Sequence, residues 1–213
     1  PVGGGDAIAV TDGSVDVTEL AFSRDGEYLY FSASTNSGPG QTGLDLSAYD
    51  RPIREGIYAA VLAAGSPSPL APRRGDEEPA QAADDGDEDG EAEHDGGEAP
   101  PPETRVDAQG LPDRVVPLPI DERRYAALVV AKGGDLLLLE TLQPGSFASD
   151  EPSSAAAGNR LLRFDRDTRE VSTVLEGIRS LAVSARGDHL VLRRADGSIQ
   201  TAKLAEKIEP EAL

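Results

Sequence analysis

The sequence predicts an all-β fold made of two to three four-stranded antiparallel β-propeller blades, part of a larger propeller. Three observations predict it: a hairpin pattern that occurs three times, a further strand-like segment after each hairpin, and the lack of a long helical period. Closed propellers typically have four to eight blades, so this chain can supply only part of a ring. Expressed alone, such a piece exposes apolar blade faces, and we expect it to self-associate or to be marginally stable.

The hairpin pattern consists of two short apolar runs joined by a turn that contains glycine. It occurs in Leu20–Phe31, Ala127–Glu140 and Leu181–Arg193, with turns at Asp25-Gly26, Gly133-Gly134 and Arg186-Gly187. Glycine adopts the positive φ that a tight turn requires, so each segment predicts two antiparallel strands.

The remaining strands of each blade follow the hairpins. Third strands are predicted at Gly56–Ala64, Asn159–Asp165 and Gly197–Leu204, a fourth at Arg169–Gly177, and a further strand near Val115. Four antiparallel strands repeated about every 40 to 50 residues are typical of propeller blades.

The predicted organisation has four parts. Residues 1–74 form a blade with a long polar loop, residues 75–105 a disordered acidic insertion, residues 106–204 further blades, and residues 205–213 an exit linker towards a catalytic region that is absent here. Because the chain begins at Pro1 and contains no Met, we expect it to be an internal piece of a longer polypeptide.

The acidic insertion is predicted to be disordered because it cannot form a core. Gly75–Arg105 contains no large apolar residue, and Asp76–Glu98 contains 12 carboxylates without one Lys or Arg. Ordering a backbone costs about 1 to 2 kcal/mol per residue, and here almost no apolar area is available to offset that cost.

Part of the insertion is similar to a calcium loop. Asp85, Asp87 and Asp89 occupy alternate positions and Gly90 is the sixth residue, but the twelfth position, which needs a bidentate Glu, is Gly96. The next Glu lies two residues too far along, and no flanking helices are predicted. We therefore predict no metal site there.

Charge and composition exclude several classes of function. The net charge of −19 without a basic stripe argues against nucleic acid and against anionic membrane as partners. No apolar run approaches the 18 or so residues that span a bilayer. The lack of cysteine excludes disulfides and thiolate metal sites and leaves the compartment open, for which we expect the cytoplasm, with the periplasm as the alternative.

No catalytic, cofactor-binding or metal-binding residue is predicted. His94 lies in the acidic insertion, and His189 follows Asp188 in the third hairpin, where alternation places it on the face opposite Leu190 and Leu192. Since no nucleophile elbow, phosphate-binding loop or zinc-protease helix motif occurs, we interpret His189 as a strand-surface residue.

Three arginine pairs are the remaining candidates for a binding role: Arg73-Arg74, Arg123-Arg124 and Arg193-Arg194. Neighbours on a strand point to opposite faces, so each pair offers at most one guanidinium to a channel. A guanidinium suits a peptide carboxylate, although ordinary surface charge is the favoured interpretation.

A polar loop at Gly43–Pro52 presents Asp45, Ser47, Asp50 and Arg51. These residue types cap turns and form local ion pairs, which is the favoured interpretation, and a ligand site is the alternative.

Several stretches resemble the second propeller of bacterial tricorn-type proteases. They are VTDG (Val10–Gly13), FSRDGEYLYFSAST (Phe22–Thr35), LDLSAYDRPI (Leu44–Ile53), IYAAVLAAGSPSPLAP (Ile57–Pro72) and RLLRFD (Arg160–Asp165). The hairpin alone is common to many propellers, whereas the Asp-Arg-Pro loop followed by SPSPLAP is more specific. The resemblance covers nearly all of the chain except the acidic insertion.

The resemblance implies a serine peptidase that trims oligopeptides, with a PDZ domain and catalytic subdomains elsewhere in the polypeptide, and homo-oligomers. It implies that this segment, without catalytic residues or cofactors, is a scaffold and a gate or channel for peptide substrates, in contact with the remaining blades and domains. The alternative is a non-enzymatic propeller module, TolB-like or WD-like, that binds other proteins.

Overall fold

The computed structural model describes residues 7–35, 54–72, 104–142, 158–204 and 208–212. These residues form strands and one short 3-10 helix, Pro112–Arg114. The strands are β1 (Asp16–Phe22), β2 (Tyr28–Ser34), β3 (Gly56–Val61), β4 (Val115–Pro117), β5 (Tyr125–Val130), β6 (Leu136–Glu140), β7 (Asn159–Phe164), β8 (Val171–Val183), β9 (His189–Arg194), β10 (Ile199–Lys203) and β11 (Glu211–Ala212). The all-β prediction is confirmed, with antiparallel pairing throughout the described sheets.

The three predicted hairpins are β1–β2, β5–β6 and β8–β9. Their turn glycines adopt φ of +74° at Gly26, +93° at Gly134 and +72° at Gly187, a conformation that favours glycine. In all three turns the glycine N–H donates to the carbonyl three residues earlier. The turn chemistry read from the sequence therefore holds for each repeat.

The strands form two sheets. One has the order β1-β2-β3-β4, and the other has the order β11-β10-β9-β8-β7-β6-β5. We call the first sheet blade 1. Blade 2 is β5–β7 with the first half of β8, and blade 3 is the second half of β8 with β9–β11.

Blade 1 contains residues from both sides of the acidic insertion. Its fourth strand, β4, lies at the position expected near Val115 and pairs with β3, with Val115 opposite Ala60. Most of the predicted insertion lies outside the described residues, as do its calcium-like residues and His94. Thr104 and Arg105, at its end, are described, and Thr104 lies against Gly26.

One continuous strand, β8, replaces the two separate strands expected at Arg169–Gly177 and from Leu181 onwards. Its first half pairs with β7 and its second half with β9, and Ile178 is opposite both Asn159 and Arg194. Gly177 has φ of +69°, which bends the strand where it exchanges partners. The bend makes a separate loop unnecessary.

The segment predicted as an exit linker contributes β11. Thr201 in β10 is opposite Glu211, and Gln200 is opposite Ala212. This short strand forms the edge of blade 3.

The blades pack through two apolar cores, and β6 contributes to both because all of its residues are buried. Leu136 and Leu138 face the core shared with blade 1, whereas Leu137 and Leu139 face the core shared with blade 3. The first core is formed by Tyr28, Tyr30, Ile57, Ala59, Val61, Leu118, Ile120, Tyr125, Leu128, Val130, Leu136, Leu138, Leu162 and Phe164. The second is formed by Leu137, Leu139, Leu161, Ile178, Leu190, Leu192, Ala202 and Ile208.

The outer face of blade 1 carries exposed apolar side chains. On β1, Leu20 is 62% exposed and Phe22 is 56% exposed. They are opposite Phe31 and Leu29 of β2. They therefore share a face with a small apolar cluster whose buried residues are Phe31, Ala33 and Ala60. Apolar surface of this kind commonly marks a contact site.

Candidate functional site

A polar cavity of about 330 Å³ lies where the β4–β5 connection meets blade 2. We call it the arginine cavity. It is lined by Pro119, Ile120, Asp121, Arg123, Tyr125, Glu140, Arg160, Leu162 and Val171.

The sheet register brings the charged side chains of this cavity together. Glu140 ends β6 and is opposite Arg160 of β7. Arg123 is held by backbone hydrogen bonds in both directions with Glu55 of blade 1. Residues that are far apart in the chain therefore meet at the junction of blades 1 and 2.

Glu140 is buried between two guanidinium groups. Its Oε1 lies 3.8 Å from Arg123 Nε, and its Oε2 lies 3.7 Å from Arg160 Nη1. Two more exposed carboxylates contribute, because Asp121 lies 3.0 Å from Arg123 Nη2 and Glu176 lies 3.4 Å from Arg160 Nε. Two arginines and two carboxylates, Asp121 and Glu140, therefore line the cavity, and Glu176 pairs with Arg160 beside it, so the described residues carry no surplus of positive charge there.

Tyr125 closes the buried side of the arginine cavity. Its hydroxyl donates to the carbonyl of Asp121 at 2.6 Å. Burial raises the pKa of this phenol, with the nearby Glu140 carboxylate as the next cause. The hydroxyl therefore stays protonated and serves as a hydrogen-bond donor that fixes the connection between β4 and β5.

The three arginine pairs lie in different surroundings. Arg123 lines the arginine cavity while Arg124 is exposed, so this pair, which precedes β5, offers one guanidinium to the cavity. Arg193 is exposed and Arg194 is partly buried on the other side of β9. The pair at 73–74 and the polar loop at 43–52 lie outside the described residues.

Ser184, Asp188 and His189 cluster at the β8–β9 turn, and these are the residue types of a serine-hydrolase triad. Ser184 Oγ donates to Asp188 Oδ1 at 2.7 Å, and His189 Nδ1 lies 2.9 Å from the same oxygen. In a triad the imidazole lies between serine and carboxylate. Here the carboxylate lies between the other two, so His189 cannot take the proton of Ser184.

Ser23 holds the corresponding position in the β1–β2 turn of blade 1 and accepts the same kind of backbone hydrogen bond as Ser184. This similarity supports a structural role for Ser184. His189 N donates to Ser184 Oγ at 3.1 Å, and Tyr28 N donates to Ser23 Oγ at 2.9 Å. The Ser184 hydroxyl and His189 lower the pKa of Asp188 to about 2, so this carboxylate is ionised at neutral pH. The group stabilises a turn and leaves the His189 ring on the exposed face.

Arg24 is a positioning residue that the sequence pattern did not indicate. From the β1–β2 turn its Nη1 donates to Ala185 O at 2.6 Å and its Nη2 donates to Val130 O at 3.2 Å. These acceptors belong to blades 3 and 2. One side chain thus connects the first turns of three blades.

Glu55 is a second residue that sequence reasoning missed. It is only 4% exposed, and it accepts hydrogen bonds from Thr18 Oγ1 at 3.1 Å and Tyr125 N at 3.2 Å. The carboxylate therefore ties β1 of blade 1 to β5 of blade 2. A lone Glu before the single glycine that begins a strand carries no sequence signal for such burial.

Among the described residues, no three His, Cys, Asp or Glu side chains converge on a possible metal position. The same residues include no helix with the length and apolar character needed to cross a bilayer.

No family model matches the chain. Tricorn protease homolog 1 of Streptomyces coelicolor is 28% identical over 215 residues, which cover 90% of this chain and 19% of that protein. Putative tricorn protease homolog 2 of the same organism is 30% identical over 196 residues, which cover 87% of this chain and 15% of that protein.

A solved structure shows the same fold. The crystal structure of the tricorn protease matches with a TM-score of 0.59 and 20% identity, over 96% of this chain and 19% of that chain. This chain therefore spans about a fifth of the length of the proteins that it matches. By sequence and by the arrangement of its blades, the chain is homologous to a propeller region of the tricorn protease homologs.

Proposed function

We propose that this chain is a non-catalytic propeller segment of a tricorn-like serine peptidase that trims oligopeptides, in which it serves as a scaffold and as a gate or channel for substrate. The observation that carries the proposal is the homology over 90% of the chain to a tricorn protease homolog, combined with three stacked blades. A fold by itself does not decide function, so the geometry must support the role.

Three structural features support a scaffold. The blades bury two continuous apolar cores, the Arg24 guanidinium connects their first turns, and buried Glu55 ties blade 1 to blade 2. Such an arrangement resists relative movement of the blades, because separating them exposes apolar surface and unpaired carbonyls. A rigid wall of this kind suits a substrate route.

A non-catalytic role is supported by the chemistry of the described residues. The one Ser-Asp-His cluster seen there has the wrong order for general-base catalysis, since Asp188 separates Ser184 from His189. Acyl transfer would then occur on a serine elsewhere in the longer polypeptide.

The proposal includes the surroundings of the segment. Its partners are other blades and the PDZ and catalytic domains of the same polypeptide, peptide substrates that pass through, and further copies in a homo-oligomer. We assign it to the cytoplasm, with the periplasm as the alternative. Neither nucleic acid nor membrane belongs to the proposed partners.

Substrate length tests the gate or channel role in the complete polypeptide. The measurement compares kcat/KM for a dipeptide with a fluorogenic leaving group and for a 12-residue peptide with the same leaving group. Arg24→Met should change kcat/KM for the long peptide several-fold and leave the short reporter within about twofold. Arg186→Met, in the corresponding turn of blade 3, is the matched control and should leave both unchanged.

If Arg24→Met changes kcat/KM equally for the dipeptide and the 12-residue peptide, the gate or channel role is contradicted. Such a result would indicate damage to folding or to the catalytic step. No change for either substrate would equally contradict that role. The alternative function, a non-enzymatic propeller that binds proteins, is favoured by the exposed Leu20 and Phe22 on β1. That alternative predicts that the complete polypeptide hydrolyses neither substrate.

A further inference from the structure

The arginine cavity lies between the β4–β5 connection and blade 2. Both of these belong to this chain, so the cavity does not depend on a neighbouring blade to complete it. Neither the homology nor the proposed scaffold role assigns it a ligand. Its charges and its apolar lining indicate which ligand it suits.

The Glu140 carboxylate in this cavity is buried, yet it accepts no hydrogen bond from the residues that the structure describes. Glu140 is 8% exposed, and its two ion-pair partners, Arg160 Nη1 and Arg123 Nε, lie 3.7 and 3.8 Å away. A direct hydrogen bond between a guanidinium and a carboxylate is about 2.7 to 2.9 Å long. The carboxylate therefore keeps acceptor capacity for a donor that enters the cavity.

Arg123, next to this carboxylate, can take an anion. Its Nη2 is paired with Asp121 at 3.0 Å, and the Asp121 side chain is 82% exposed. Ion pairs at the surface contribute little to stability, so a ligand carboxylate can displace Asp121. The planar guanidinium suits such a ligand, because it can hold a carboxylate by two parallel hydrogen bonds.

Much of the remaining lining is apolar. Pro119, Ile120, Leu162 and Val171 contribute to it, and Val171 is 41% exposed. The volume of about 330 Å³ is at the lower end of the range for ligand sites. The cavity therefore suits a small ligand that carries a donor, a carboxylate and one short apolar group.

We propose that the arginine cavity binds a free α-amino acid with an apolar side chain. The ammonium group donates to the Glu140 carboxylate, and the ligand carboxylate accepts from the Arg123 guanidinium in place of Asp121. The ligand side chain lies against the apolar lining. Both charges of an α-amino acid are attached to one carbon, and Glu140 and Arg123 are 3.8 Å apart, so one ligand reaches both.

The balance of charge in the cavity favours a zwitterion over a simple ion. Two arginines and two carboxylates line it, so an anion without an ammonium group is repelled by Glu140, and a cation without a carboxylate is repelled by the guanidinium groups. A ligand with both charges avoids both repulsions. The inference goes beyond the proposed function, since the site needs no peptidase elsewhere in the polypeptide.

The test uses the 213-residue chain and four ligands, L-leucine, N-acetyl-L-leucine, L-leucinamide and glycine, in NMR titrations at pH 7. N-acetyl-leucine lacks the ammonium group, and leucinamide lacks the carboxylate. We expect leucine to bind at least about tenfold more tightly than either, because each analogue leaves one buried charge without its partner. Glycine should bind several-fold more weakly than leucine, because it lacks the apolar contact.

Asp121→Asn should tighten leucine binding several-fold, because Arg123 loses its competing carboxylate. A gain in affinity cannot result from misfolding. Asp12→Asn is the matched control, since it removes one exposed carboxylate from blade 1 outside the arginine cavity, and it should leave leucine binding within about twofold of the wild type.

Glu140→Gln keeps the size of the side chain and removes its charge. It should weaken leucine binding at least about tenfold and strengthen binding of N-acetyl-leucine, because the repulsion of an anion is removed. The opposite directions of the two changes separate a role in binding from a loss of structure.

Four results would overturn the proposal. Equal binding of leucine and N-acetyl-leucine would show a simple anion site, and equal binding of leucine and leucinamide a simple cation site. A gain in Asp12→Asn as large as in Asp121→Asn would show an effect of surface charge alone. The lack of any titration at tens of millimolar leucine would show that only water occupies the cavity.

Discussion

The guanidinium of Arg24 donates to the carbonyl of Ala185, 161 residues farther along the chain, at 2.6 Å. The same group reaches Val130 O at 3.2 Å. Blade 1 is therefore connected to blades 2 and 3 through one side chain, at the edge where their first turns meet.

Replacing Arg24 by Met should lower the free energy of unfolding by about 1 to 2 kcal/mol, because charge-assisted hydrogen bonds to two backbone carbonyls are lost. Met keeps an unbranched stem of similar bulk, so the loss of packing by the aliphatic part of the side chain contributes little. Urea unfolding followed by far-UV circular dichroism measures the change. Arg186→Met, at an exposed turn position without a partner among the described residues, should stay within about 0.5 kcal/mol of the wild type. Equal effects of the two variants would contradict the connecting role of Arg24.

Gly187→Ala should destabilise the protein more than Gly197→Ala. Both glycines have positive φ, +72° and +91°, so both variants incur the cost of about 1 to 2 kcal/mol for that conformation. A Cβ at Gly187 would also collide with the guanidinium of Arg24, whereas nothing lies within 4 Å of a Cβ at Gly197. The difference in thermal midpoint between the two variants isolates the collision, and it should shrink when Arg24 is also replaced by Met. An unchanged difference in that background would rule out the collision as its cause.

Tyr30→Phe should leave stability unchanged or raise it by up to about 1 kcal/mol. The Tyr30 hydroxyl is buried in the core between blades 1 and 2 and has no hydrogen-bond partner among the described residues, so its removal relieves a desolvation cost. Tyr125→Phe is the matched comparison. It should cost about 1 kcal/mol, because the Tyr125 hydroxyl donates to Asp121 O at 2.6 Å. A larger loss for Tyr30→Phe than for Tyr125→Phe in chemical denaturation would reverse this assignment.

Glu19→Gln should stabilise the protein at pH 7 and lose that advantage as the pH falls. Burial raises the pKa of Glu19, and the charge of Glu55 adds to the shift. The folded state therefore binds this proton more tightly than the unfolded state, so ionised Glu19 lowers stability at pH values above its raised pKa. The loss of stability caused by ionised Glu19 therefore grows as the pH rises from the ordinary carboxyl pKa through the raised pKa. Thermal midpoints of both proteins between pH 4 and 8 measure it.

Asp165→Asn is a control for Glu19→Gln, because the pKa of Asp165 is lowered by folding whereas the pKa of Glu19 is raised. Hydrogen bonds from the N–H groups of Thr168 and Asp167 lower the pKa of Asp165. Its ionised form stabilises the fold above its ordinary pKa, and that contribution is lost as pH falls through the lowered value. Asp165→Asn should therefore be less stable than the wild type at pH 7. If the difference in thermal midpoint between each variant and the wild type does not change with pH, the pKa directions assigned to Glu19 and Asp165 are both contradicted.

Local features of the fold were predictable from the sequence, because short segments determine them. The positive φ of Gly26, Gly134 and Gly187 follows from the turn chemistry, and alternation along β9 places Leu190 and Leu192 in the core and His189 on the surface. The resemblance to tricorn-type proteases was carried by similar local motifs, and the homology supports it.

Relationships between distant segments could not be predicted in the same way. Gly177 allows one strand to serve two blades, and a single glycine in an apolar segment does not distinguish that bend from a loop. The arginine cavity joins Arg123, Glu140 and Arg160 through sheet register, which depends on the whole fold. The same holds for Asp12 and Asp113, which line one cavity on blade 1 because β4 returns to that blade.

The assignment of this segment as non-catalytic is tested most directly by a serine-reactive fluorophosphonate probe. The complete polypeptide is labelled, digested and mapped by mass spectrometry, and the 213-residue chain is labelled in parallel. We predict an adduct on a serine outside the residues that correspond to this chain, and no labelling of the chain alone. An adduct on a serine within it, with Ser184 the first to inspect, would contradict the assignment.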